Sequence, residues 1–192
     1  MKSVSISILL LACFNFSFCQ GVFNNKTNAA LQKVIQDYPN RFNNIKGDTV
    51  VQNQQTTDFQ SKVEVPGALH CVITKYGSSE REMFSWSCLI FKSGEFEVAK
   101  AKFKDLYNEI RNTVIKIEGE KPFILNGSFN TPIEEKKYAT ILFQLLPSSA
   151  ELKKLKVELS MHYQVSEWKI QLVVCDKDVR EVADPVASAG YR

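Results

Sequence analysis

The sequence predicts an α+β fold, in which antiparallel sheet packs on one central amphipathic helix as a two-layer sandwich. Three observations carry this. Between Glu95 and Asn112, the residues Phe96, Ala99, Phe103, Leu106 and Ile110 recur at helical spacing, and Val114 continues their stripe. Lys100, Lys104, Asp105, Glu109 and Arg111 fall largely on the other side. The segments before and after this helix alternate apolar and polar residues with period two, as half-buried strands do. A bulky stripe must be covered, and such strands supply the apolar face that covers it.

The length of 192 residues suits one domain once a leader is removed. The expected division is a signal peptide over 1–19, one α+β domain over 20–176 and a tail over 177–192. Hydrophobic residues make up 44% and Phe alone numbers 13, enough for a sizeable core. The formal net charge is +3, or +2 once Lys2 leaves with the leader. Acidic and basic residues are interspersed, with no dense Lys/Arg cluster, so nucleic acid is not an expected partner.

Met1-Lys2 is a short positive start, and Val4 to Phe18 is apolar apart from Ser and Asn. Ser17 and Cys19 are small residues placed for cleavage before Gln20. This is a secretory signal, too short for a transmembrane span. Its Cys-Gln ending resembles Gram-negative export signals. Leu10-Leu11-Ala12-Cys13 also resembles a lipobox, which would make Cys13 a lipid anchor, but Phe14 to Phe18 would then be left exposed. The expected location is secreted or periplasmic, where Cys71, Cys88 and Cys175 meet an oxidising medium.

Thr27-Asn28 caps a first helix, Ala29 to Tyr38, with Leu31, Val34 and Ile35 inward; Pro39 stops it. A long polar connection follows, with a short strand at Thr49–Gln52. Phe59 to Val65 is a strand ended by Pro66-Gly67. The next hairpin can be placed in register. Leu69, Cys71 and Ile73 share a face, as do Phe84, Trp86, Cys88 and Ile90. Setting Cys71 against Cys88 also sets Ile73 against Trp86 and Leu69 against Ile90, whereas a slip of one residue mixes the faces. A cross-strand disulfide Cys71–Cys88 is therefore predicted.

Ser93 is placed as N-cap of the central helix, with Glu95 and Glu97 near its positive end. The β-branched run Thr113-Val114-Ile115 ends it near Asn112. Phe123 to Phe129 is strand-like, with Asn126-Gly127 as a turn or bulge. Thr131 to Lys137 connects it to the alternating strand Ala139, Ile141, Phe143, Leu145. Ser148 to Glu151 has capping-box spacing and starts a helical turn. In the last hairpin, Val157, Leu159, Met161, Tyr163 and Val165 face Trp168, Ile170, Leu172 and Val174. A turn at Ser166-Glu167 pairs Val165 with Trp168 and Met161 with Leu172. Cys175 then lies on the other face, opposite Glu158 and away from the disulfide.

No stretch carries a catalytic, metal or nucleotide motif. His70 and Cys71 are adjacent on a strand and point to opposite faces. The two His and three mature Cys lack zinc-site spacing, and no metal or cofactor is expected. Glu80 and Glu82, Glu118 and Glu120, and Glu134 and Glu135 sit in turns as solvated charge. Asn25-Lys26-Thr27 and Asn126-Gly127-Ser128 match the glycosylation sequon, relevant in a eukaryotic host. The reading leans away from an enzyme. It expects an exported binding module whose surface is the wet face carrying Glu158, Ser160, His162, Gln164, Lys169 and Gln171, or an unpaired sheet edge. Its partner would be a protein or small molecule. One alternative is an apolar-ligand carrier with a cleft at Phe103, Tyr107 and Met161. The other is a hydrolase whose carboxylates converge in the fold.

Overall fold

The computed structural model describes residues 26–77, 82–150 and 152–176. The leader with Cys13, the cleavage point at Gln20, Asn25, Glu80, Glu151 and the tail 177–192 lie outside the described residues. The fold is α+β and dominated by its sheet, with nine antiparallel strands in the order β1-β2-β3-β4-β9-β8-β7-β6-β5.

The chain builds the sheet as two meanders that meet. Helix α1 (Lys26–Asp37) leads into β1 (Lys46–Gln52), β2 (Thr56–Ser61), β3 (His70–Tyr76) and β4 (Met83–Ser93). Helix α2 (Phe96–Ile110) crosses over, and β5 (Val114–Ile115), β6 (Phe123–Asn126), β7 (Tyr138–Leu146), β8 (Leu155–Gln164) and β9 (Glu167–Asp176) return. Strand β9 closes the sheet by pairing with β4, where Trp86 faces Val174 and Cys88 faces Leu172.

The core lies on the inner face of this sheet. Phe103, Leu106 and Ile110 of α2 and Leu31, Val34 and Ile35 of α1 share one cluster with Ile73, Trp86, Leu159, Ile170 and Leu172. At roughly 25 cal/mol per Å² of apolar surface removed from water, burial on this scale is the main force holding the fold. Two aromatic side chains inside it have their polar atoms satisfied. The Trp86 indole N–H donates to Ser61 Oγ at 2.9 Å and to the Val63 carbonyl at 3.3 Å. The Tyr107 hydroxyl donates to the Gly127 carbonyl at 3.1 Å. A Cβ at Gly127 would come within 2.8 Å of the Phe143 ring, so glycine is required by close packing rather than by a turn.

The first hairpin has the expected register: Cys71 pairs with Cys88 as a disulfide, and Ile73 with Trp86. Leu69 departs from expectation. It precedes β3 and is 54% exposed, held only at its backbone by a bond to the Leu89 carbonyl. Strand β1 is longer than expected, and β2 ends at Ser61 rather than Val65. Thr27 lies inside α1, where its hydroxyl bonds Glu109 at 2.8 Å. The N-cap of α2 is Glu95, and Ser93 Oγ instead accepts the Glu95 N–H at 3.0 Å. Residues 148–150 are not helical.

The last hairpin turns one residue earlier than expected. Val165 and Ser166 both adopt left-handed backbone, at φ 51° and 63°, as a tight hairpin turn of the mirror type requires. Tyr163 therefore faces Trp168, and Met161 faces Ile170. The pairing moves by two residues, so every apolar partner remains apolar and both faces are preserved. Cys175 is opposite Lys156, and Glu158 is opposite Val173. Among the described residues no helix is long and apolar enough to cross a membrane.

Candidate functional site

Alternation in β8 and β9 sends one set of side chains into the core and the other to the outer face, away from the helices. The outer set comprises Lys156, Glu158, Ser160, His162 and Gln164 of β8 with Lys169, Gln171, Val173 and Cys175 of β9. Register brings them into cross-strand pairs, Ser160 with Gln171 and His162 with Lys169. The rows extend on both sides. Thr140 of β7 joins Ser160, and Gln171 meets Leu89 of β4. Leu142 joins Glu158, while Lys169 meets Lys92.

Three zones result. One end carries two cations, Lys169 and Lys92, beside His162, with Lys92 paired to Glu167 at 3.5 Å. The Lys169 ammonium donates to Gln164 Oε1 at 3.0 Å. Burial, and then the charge of Lys169, lower the pKa of His162 below its ordinary value, so the imidazole is held neutral. The middle is polar and enclosed. Glu158 is 8% exposed and Ser160 is 6% exposed, where the alternation led us to expect wet side chains. Their cross-strand neighbours are Leu142 and Val173 beside Glu158, and Thr140 and Gln171 beside Ser160. The Thr140 hydroxyl here is buried without a hydrogen-bond partner. The far end adjoins a recess of about 240 Å³ at the β7–β8 connection, lined by residues of both faces, Leu142, Gln144 and Lys156 from the outer one and Phe143, Leu145 and Leu155 from the inner. Sequence reasoning missed this recess. Leu142 and Leu146 signalled it only as apolar residues on the solvent side of an alternating strand.

The other candidates are not brought together. Phe103 and Met161 are buried in the core, and Tyr107 packs against Phe129 and Phe143 at 5.1 and 6.0 Å. His70 is on the outer face of β3, while Cys71 points inward to the disulfide. Glu82 is held by Lys75 and, at 3.6 Å, by Arg41. The hydrogen bond from Lys75 lowers its carboxyl against the opposing effect of desolvation, the reverse of what a general acid needs. Among the described residues no three His, Cys, Asp or Glu side chains converge as a metal site would need. Comparisons with protein families, curated proteins and solved structures return no match.

Proposed function

We propose that this chain is an exported, non-enzymatic binding module, in which the two helices form one layer on the inner face of the sheet and the outer face receives a partner. The observation that carries the reading is the gathering of Glu158, Ser160, His162, Gln164, Lys169 and Gln171 on one face, adjoining the recess at the β7–β8 connection. A face with two cations at one end, an enclosed polar middle and a leucine-lined recess beside the other end suits a protein segment bearing acidic and apolar groups. The Cys71–Cys88 disulfide supports an oxidising compartment for this work.

The carrier reading has less support, because Phe103, Tyr107 and Met161 pack into the core rather than line a cleft. The hydrolase reading would need a close, shielded carboxylate pair, and Glu82 instead pairs with cations. The test is the double substitution Lys169→Ala with Gln171→Ala. Partner capture, scored by cross-linking in the native host, should fall at least about tenfold, the effect of losing about 1.4 kcal/mol of contact. The melting temperature should be unchanged, because both side chains leave the core intact. Undiminished capture would remove this face from consideration.

A further inference from the structure

The two edges of the sheet, β1 and β5, are guarded differently. Beside β5, the Lys116 N–H donates to Gln32 Oε1 at 2.8 Å. The Lys116 carbonyl accepts from Gln32 Nε2 at 2.6 Å and from Gln36 Nε2 at 2.8 Å. Two side-chain amides of α1 thus take the hydrogen bonds an added strand would take. Strand β1 has no such guard among the described residues. Val50 is 60% exposed and Val51 is 51% exposed. The strand starts with Lys46, Gly47 and Asp48, whereas its remaining four residues, Thr49–Gln52, carry no charge, no proline and no glycine. Charge and proline are the usual means of protecting an edge, and neutral β-branched runs are those that pair. Register shifts between Lys46 and Thr49 and between Thr49 and Val51 interrupt this edge, so the pairing it accepts is short.

We propose that β1 pairs antiparallel with β1 of a second copy of this chain, across a two-fold axis at Val50, joining two sheets into one. In that register Val50 meets its own counterpart, Thr49 meets the partner's Val51, and Asp48 meets the partner's Gln52. β-branched residues face each other and no like charges are opposed. This self-complementarity selects a second copy over a foreign strand. The proposal stands apart from the outer-face reading, because none of its residues belongs to that face.

Sedimentation velocity of the mature, disulfide-bonded chain tests it, over a concentration series reaching about 100 µM, where a contact with a Kd of about 10 µM is largely populated. The wild type should pass from monomer to dimer mass. Val51→Lys and Thr49→Lys should each stay monomeric over the same range, with a melting temperature within a few degrees of wild type, as expected of exposed positions. A wild type that stays monomeric throughout overturns the proposal. So does a dimer that persists in both folded variants, since it must join by another surface.

Discussion

Thr140 is the residue at which the outer face shows its chemistry most plainly. Its hydroxyl is buried without a hydrogen-bond partner, an arrangement that costs about 1–3 kcal/mol in a folded protein. Replacing it with the isosteric apolar residue removes that cost. Thr140→Val should therefore unfold at equal or higher urea concentration than wild type, by up to about 1 kcal/mol. A loss of more than that would mean the hydroxyl has a partner in solution. His162 makes a pH prediction. Its pKa in the fold is lowered, so near neutral pH both states carry a neutral ring. As pH falls through the ordinary value of 6.5, the unfolded chain takes a proton before the folded one does. Stability is thus present in full above that value and declines as pH falls toward the folded value. His162→Gln should flatten this decline in urea titrations across that range, and an unaltered pH profile would contradict it. Residues also mark where the sequence ceased to be legible. Val165 is a β-branched residue at positive φ, a placement that backbone sterics disfavour, so local propensity does not point to the turn the chain adopts.

At the scale of elements, the first hairpin was readable because two constraints agreed. The register that joins the cysteines is also the one that buries Ile73 against Trp86. In the last hairpin only alternation was available, and a period of two cannot distinguish registers that differ by two residues. The faces were therefore legible while the pairs were not. The same limit hid the enclosure of the middle of the outer face. Alternation assigns Glu158 and Ser160 to a side, but their exposure depends on what the adjoining strands β7 and β9 place beside them. The disulfide gives the element-scale prediction. It closes a loop with a sequence separation of 17, for which the chain-entropy account gives about 3 kcal/mol. Replacing both cysteines, Cys71→Ala with Cys88→Ala, should lower unfolding stability by about 2–4 kcal/mol. An unchanged denaturation midpoint would show that the link adds nothing beyond packing.

For the whole molecule, the sequence made the α+β class and the α2 stripe from Phe96 to Ile110 legible, because periodicity reports directly on what each segment buries, whereas Val114 lies exposed in β5. It did not show that two meanders share one sheet. The β4–β9 pairing joins residues about 75 to 90 positions apart, and no local pattern encodes such a partnership. The role of α1 was likewise hidden, since its amides guard an edge made by residues roughly 80 positions later. What emerges is a sheet with one face committed to the core and the other presenting two cations, an enclosed polar middle and an adjoining recess in sequence. The most direct test of this account places a photo-cross-linking residue at Gln171, on the outer face, and in a second protein at Lys104, on the exposed side of α2. Irradiated in the native host, the Gln171 protein should form a discrete adduct that the Lys104 protein does not. Adducts from Lys104 alone, or none from Gln171, would contradict the assignment of the outer face as the binding surface.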